Sequence, residues 1–482
     1  MRQPEVALGP GSEPSTGKGA GSHPVSPACT MTRVERDGWP AQRMRTVRWW
    51  LWAILATCYL MVYFQRIAPG VVADRLMADF AVGGAAVGLL TSIYFYLYAA
   101  MQVPSGVLAD SLGVRYTAAI GIFLAGIGSM VFGLAPGLEW AYLGRFLVGL
   151  GVSVVFVTVL KFQSNWFLDR EFGTISGLLM LVGNLGAVTA TTPVAAMAQL
   201  MGWRLSFLVI GLVTCAVGVA TWWWVRDRPS DMGLPSPNGL AAEAASMDSR
   251  SIRTTRGGLL HDIATVWGSS QTWAGFLAHF GLLGSYLTFN GLWAVPYLMH
   301  VYDMDRVQAA NYLLAASLGM VVSAPLLGHI SDRSLLSRRQ PIMAMGVLAC
   351  GVWLAFTLWD GGRPPLWALY PLFVAMGFAG GTVGLILTSV KEANPPDLSG
   401  LATGTANSGF LCAAILQPVV GWLLDSRWHG QMADGARVYP VEGYQAMLVL
   451  LTCVAVMGLA GAWRMRETHQ ARLAVRVQEQ QR

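Results

Sequence analysis

Long apolar blocks, broken by short polar stretches, occupy most of this chain. About 20 apolar residues are enough to cross a bilayer core as a helix. The pattern predicts twelve such helices, at 48–70, 84–105, 116–135, 138–163, 172–198, 205–225, 272–299, 308–330, 341–359, 366–390, 400–424 and 444–463. Three polar stretches frame them. Residues 1–45 read as a disordered tail, 226–271 as a linker and 464–482 as a second tail. What precedes Met31 shows no structural role, so Met31 is a candidate start. The expectation is an all-α membrane protein, with six-helix bundles at 46–225 and 272–463.

One block occurs twice. Gly106-Val107-Leu108-Ala109-Asp110 is followed by Arg115, and Gly328-His329-Ile330-Ser331-Asp332 by Arg333 and the pair Arg338 and Arg339. Each copy follows a long apolar segment and sets Asp four residues after Gly. A loop block repeated in both halves of an apolar chain predicts two pseudo-symmetric bundles with a polar site between them, the plan of secondary transporters.

Composition supports the membrane reading: 54% of the 482 residues are apolar and 12% charged, against about 25% charged in ordinary soluble domains. The 55 glycines suit helices that approach closely in lipid. Charge gives the orientation. With a cytoplasmic N-terminus, the inside segments hold 24 of the 32 Lys and Arg, and the outside loops hold only Arg75, Arg204, Arg306, Arg363, Arg427 and Arg437. That is the positive-inside pattern, with both termini cytoplasmic. The net charge of +6 is then topological and implies no nucleic-acid partner. The six cysteines form no CxxC pair, so they read as packing residues rather than a metal site or disulfide framework.

The duplicated loop, Tyr63-Phe64-Gln65-Arg66 with Ala68-Pro69, Gln102-Val103-Pro104-Ser105-Gly106, Asn165-Trp166-Phe167 and Gly202-Trp203-Arg204 together resemble the major facilitator superfamily. Within it, the first half is most similar to the anion:cation symporter and organophosphate antiporter branches. The resemblance covers about residues 46–463. It implies alternating access, a substrate-anion ligand at Arg66, and a loop at Gly106, Asp110 and Arg115 that latches the cytoplasmic side, with Asp332 and Arg333 in the second copy. Two of the family's loop cations are absent here, at Ser111 and Val114, which leaves Arg115 as the positive end.

Charges within spans are costly, about 2.5–3.5 kcal/mol each on insertion scales, and so mark function. Arg66 is one, with Tyr59 and Tyr63 on the same helical face. A guanidinium there can grip a carboxylate or phosphate with two parallel hydrogen bonds. Tyr63, Gln65, Tyr98, Tyr286, Asn290 and Asn407 are the other candidate substrate contacts. Arg145 reads equally as a coupling residue or as a cation held by a helix-end carbonyl. Lys161 reads as a cation at the cytoplasmic mouth or as a topological anchor. His279, deep in the seventh span, reads first as a structural hydrogen-bonding group and second as a gating residue. Gly106 removes a side chain where two helices meet. Pro296 is expected to kink the seventh span.

No Asp or Glu falls in the middle of a predicted span, and Gln65 stands where the symporter branch has an acid. The chain therefore reads as a carrier of a small organic anion (carboxylate, sugar acid or organophosphate) in a bacterial inner membrane. It would work as a monomer, by exchange, uniport or entry with a proton or counter-anion. There is no P-loop, metal or cofactor signature and no enzymatic site. A drug or metabolite exporter and a transporter-like ligand sensor are the alternatives.

Overall fold

The computed structural model describes residues 39–234, 259–331, 337–395 and 398–468, and they are almost entirely helical. The first half comprises α1 (Trp39–Val71), α2 (Ala73–Phe80), α3 (Gly84–Ala100), α4 (Gln102–Gly133), α5 (Leu138–Ser153), α6 (Val155–Trp166), α7 (Asp169–Thr189) and α8 (Thr192–Trp224). The second half comprises α9 (Leu259–Gly268), α10 (Ser270–Thr288), α11 (Ala294–Tyr302), α12 (Arg306–His329), α13 (Arg339–Leu358), α14 (Leu366–Gly380), α15 (Val383–Ala393), α16 (Ser399–Asn407), α17 (Leu411–Asp425) and α18 (Val441–Arg464). Met432–Ala433 and Ala436–Arg437 form a small antiparallel ribbon between α17 and α18.

All twelve predicted segments fall on helix. Among the described residues, nine helices are long and apolar enough to cross a membrane unbroken, and α2 with α3 forms a tenth, bent by 119°. The lower count has local causes. Thr174–Trp224 is one run of 51 residues that contains two predicted spans; Gly202, at φ 77°, turns the chain between them. The seventh span is interrupted by a π-helical turn at Phe289–Trp293, just before Pro296. A ring without an N–H at that position disfavours continuous α-helix. Gly113, at φ 85°, likewise separates the end of the second span from the start of the third inside α4. Only glycine adopts such angles without strain.

The segment expected as a linker is partly ordered. Residues 226–234 carry a short 3-10 turn, and α9 follows from the apolar spacing of Leu260, Ile263 and Val266. The rest of the linker and residues 1–38 and 469–482 lie outside the described residues, as do Asp332 and Arg333.

The helices of the first half and those of the second half pack against each other around a central interior. The halves meet where α3 packs along α17 and α7 along α12. Large apolar side chains such as Leu212, Trp223, Trp367 and Trp463 stay exposed on the outer surface, as lipid-facing positions require.

Candidate functional site

Tyr63 and Arg66 are three residues apart on α1, so they share a face and meet. The Arg66 guanidinium carbon sits 4.5 Å from the centre of the Tyr63 ring. Three rings of α3 approach it, Tyr94 at 5.6 Å, Phe95 at 5.9 Å and Tyr98 at 5.3 Å. From the other half, Phe410 closes the cage at 4.7 Å. Arg66 is 4% exposed, its Nε has no hydrogen-bond partner, and no carboxylate pairs with it among the described residues. Five ring faces stabilise the cation without neutralising it.

Gln65 is not in this cage. Successive helical residues point in different directions, and its amide lies 3.5 Å from Thr214 on α8. Arg145, fully buried on α5, donates from Nη1 to the Gln65 backbone carbonyl at 3.1 Å, while its Nε and Nη2 find no hydrogen-bond partner among the described residues. Its guanidinium also lies 5.4 Å from the Tyr94 ring. It is a second buried cation behind the cage, tied to the backbone next to Arg66.

The polar stripe of the seventh span is split among several neighbours. His279 faces Phe410 with ring centres 5.0 Å apart, and both its ring nitrogens lack partners among the described residues. No structural hydrogen bond holds it there. Asn290 lies in the π turn with its amide 3.9 Å from the Met376 sulfur, and its Oδ1 has no hydrogen-bond partner among the described residues. Tyr286 is buried on the same stretch. Trp293 instead donates to the Gln417 carbonyl. Asn407 reaches across to Gln102 of the first half at 3.5 Å, the outer limit of a hydrogen bond. Among the described residues, no group of three or more His, Cys, Asp or Glu side chains is placed to hold a metal ion.

The two faces of the molecule differ sharply. On the face opposite the chain termini, the halves are locked together. Arg306 at the start of α12 grips Asp74 of α2 through both nitrogens, one at 2.6 Å, and also donates to the Val71 carbonyl. Their exposures are 5% and 8%. Asp425, ending α17, accepts from the Gly84 and Ala85 N–H groups at 2.9 Å each. A carboxylate of one half thus caps the N-terminus of a helix in the other, where free N–H groups and the helix dipole favour an anion. Tyr439 and Arg437 donate to the same carboxylate at 2.7 and 3.0 Å. Burial and the adjacent Asp425 carboxylate push the Tyr439 hydroxyl up from its ordinary pKa, so it stays a donor. Thr192 and Asn311 add a contact at 2.8 Å. Backbones touch here as well: a Cβ added at Gly70 would lie 2.1 Å from the Gly291 carbonyl oxygen.

On the termini face, the described parts of the duplicated loops, Gly106–Arg115 and Gly328–Ser331, make no hydrogen bond or ion pair across the halves among the described residues. A Cβ at Gly106 or Gly328 would meet nothing within 4 Å, so the close helix approach expected at Gly106 is not made in this state. Asp110 is paired at 2.6 Å with Lys161 of its own half, and Lys161 also donates to the Ala109 carbonyl. Arg115 is occupied elsewhere. Its Nε donates to the Trp222 carbonyl, and its backbone N–H goes to Asp227. The positive partner of Asp110 is therefore Lys161. Gly113, whose positive φ turns Arg115 away with the start of the next helix, accounts for the exchange.

Several of these groups are hard to see in the sequence. Phe410 and Phe95 sit in apolar runs, and Asp74, Arg306, Asp425 and Tyr439 read as loop or edge residues. The one available signal is the break at Ser408–Phe410, where Gly409 lets α10 and His279 approach. The Gly202-Trp203-Arg204 motif also becomes legible: Trp203 donates to Asp79 and Arg204 to the Ala135 carbonyl, fixing the turn on the far face.

A model of the Major Facilitator Superfamily matches residues 55–418, and again 275–480. Among curated proteins, the chain is 25% identical to the membrane sensor protein UhpC of Salmonella typhimurium, over 88% of this chain and 95% of that one. It is 25% identical to a probable sulfoacetate transporter, SauU, of Cupriavidus necator, over 80% and 89%. A putative tartrate transporter of Agrobacterium vitis is 22% identical over 89% and 95%. Among solved structures, a bacterial homolog of the human lysosomal transporter Spinster, inward-facing and unoccupied, superposes with a TM-score of 0.68 at 17% identity, over 87% of this chain and 98% of that one. The nucleoside transporter NupG gives 0.63 at 12% identity, over 85% and 99%.

Proposed function

The chain belongs to the Major Facilitator Superfamily and is a multi-pass membrane transporter rather than an enzyme. On that premise we propose that it carries a small organic anion, with Arg66 as the anion ligand. The observation that carries the reading is the buried Arg66 guanidinium, ringed by aromatic side chains of both halves and lacking a carboxylate. A buried charge without a counter-charge is costly, and an incoming carboxylate, sulfonate or phosphate supplies what is missing. The likeness to proteins named for sulfoacetate and tartrate transport favours the same class.

Tyr63, Tyr98, Tyr286, Asn290 and Asn407 would orient the bound anion from both halves. Arg145, holding the Gln65 carbonyl, would position α1 and with it Arg66, and Gln65 would serve through that link. His279, with free ring nitrogens beside Phe410, is the group we assign to gating or proton coupling.

Transport would proceed by rocking of 46–225 against 272–463 around this site. The sealed far face and disengaged termini face correspond to an inward-facing state in a bacterial inner membrane with cytoplasmic termini. In the opposite state the Asp74–Arg306 and Asp425 contacts would open. Gly106, Asp110, Arg115, Lys161, Asp332 and Arg333 would then latch the termini face. The carrier would work by exchange, by uniport, or with substrate and proton entering together, since no Asp or Glu falls in the middle of a predicted span to carry a coupling charge.

A second reading, ligand sensing without net flux, is favoured by the likeness to UhpC. The test is the melting temperature of the detergent-purified protein against carboxylates, sulfonates, sugar acids and organophosphates, wild type beside Arg66→Ala and Arg66→Lys. A ligand at about 100 times its Kd stabilises the native state by about 2.7 kcal/mol. One anion class should raise the wild-type melting temperature, with the shift lost in Arg66→Ala. A shift retained in that variant, or a response to neutral or cationic amphiphiles alone, overturns the proposal. Uptake of the stabilising anion into proteoliposomes separates carrier from sensor.

A further inference from the structure

A second place in the molecule, away from the central cage, presents two exposed arginines to one cavity. It is a cavity of about 400 Å³ on the termini face, lined by Ser270, Gln271, Trp273, Leu277, Arg464 and Arg466 among others. Its geometry follows from how α18 ends. Met465 leaves the helix with φ −67° and ψ 138°, and in extended backbone residues two apart point the same way. Arg464 and Arg466 therefore both line the cavity while Met465 is buried between them.

Gln271 fixes this arrangement. Its Oε1 accepts the Arg466 N–H at 2.7 Å, and its Nε2 donates to the Arg464 carbonyl at 3.4 Å. The nearest acid in sequence, Glu467, points away and accepts from the Arg338 and Arg339 N–H groups instead. Neither Arg464 nor Arg466 has a hydrogen bond or ion pair to its guanidinium among the described residues. Two cations thus face one cavity with no anion among the described residues to meet them.

The rest of the lining is not that of a site for a soluble ion. Trp273, exposed at the start of α10, packs edge-on against exposed Trp267 at 6.2 Å and donates to its carbonyl. Leu277 lies one turn deeper on the same helix. A cationic rim above apolar and indole surface, at the end of two membrane spans, matches a phospholipid: phosphate at the rim and acyl chain along the helices.

We infer that this cavity is a specific site for an anionic phospholipid, whose phosphodiester is gripped by Arg464 and Arg466 in the leaflet on the termini side. The site holds whether or not Arg66 binds the transported anion.

The experiment adds phosphatidylglycerol, phosphatidylcholine or glycerol 3-phosphate to the purified full-length protein and follows its melting temperature. Phosphatidylglycerol should raise it at the lowest concentration. Arg464→Gln/Arg466→Gln should need about 30-fold more lipid for the same effect, the size expected for two arginines at a charged headgroup. Arg226→Gln/Arg228→Gln, which removes the same charge elsewhere on that face, should respond as wild type does. If the first double variant does not fold, Arg464→Gln and Arg466→Gln singly should each need about 5-fold more. Equal response to phosphatidylcholine, an unchanged response in the arginine variants, or an equal loss in Arg226→Gln/Arg228→Gln overturns the site. Stabilisation by glycerol 3-phosphate alone overturns the lipid as occupant.

Discussion

Removing the Asp74–Arg306 pair should move the protein between its two states rather than simply weaken it. The pair joins the halves on the far face, both partners are nearly buried, and Arg306 also serves the Val71 carbonyl. Arg306→Gln leaves the Asp74 carboxylate buried without its cation. Breaking a buried pair in this way costs about 3–5 kcal/mol. The cost falls on the closed far face alone, because opening that face returns Asp74 to water. At about 1.4 kcal/mol per tenfold, even the lower figure shifts the balance between states by more than about 100-fold. Spin labels at Glu139→Cys and Leu358→Cys, in a background without native cysteines, report the gap across that face. Wild type should show one short distance, and Arg306→Gln or Asp74→Asn a new, longer population. The double variant leaves no lone charge, so its shift should be smaller than the sum of the two. Unchanged distances in both single variants, or strictly additive effects in the double, would refute the reasoning.

Gly70→Ala should act in the same direction by sterics, since its Cβ would fall 2.1 Å from a backbone oxygen of Gly291. The expected result is normal membrane assembly, no transport, and the long distance in the same spin-label measurement. Asp425→Asn keeps the shape of the carboxylate but loses its charge against the α3 N-terminus and Arg437, worth about 1–2 kcal/mol. It should populate the open far face less than Arg306→Gln does, read again by the label distance. Arg66→Lys retains the charge but not the planar two-point grip. Binding of the stabilising anion, measured by calorimetry, should weaken by about tenfold or more, whereas equal affinity would mean that charge alone suffices.

The spans were legible because a bilayer imposes both their length and their apolar character, and neither depends on tertiary detail. Tyr63, Arg66 and Tyr98 were legible because helical spacing places them and because a charge in lipid stands out. Phe95 and Phe410 carry no such mark: an aromatic residue in an apolar run looks the same facing lipid, core or guanidinium. The far-face lock was hidden for a different reason. Asp74 and Arg306 are 232 positions apart, and each alone is an ordinary charge at a helix end. Only the packing of α2 against α11, which brings it to the start of α12, takes them out of water together.

Gly106 shows a further limit on reading one chain as one structure. Its missing side chain implies a close helix approach, yet among the described residues nothing lies within 4 Å of a Cβ there, while Gly70 on the opposite face is jammed. Both observations fit if the two faces close in turn. A glycine needed in one state then looks unnecessary in the other, and the sequence carries the requirements of both states at once. By the same logic, enlarging Gly106 should be harmless in the state described here and should block the opposite one. Gly106→Val would then keep the short far-face distance even under conditions that open the wild-type protein. A long distance in that variant would mean that the termini face closes elsewhere.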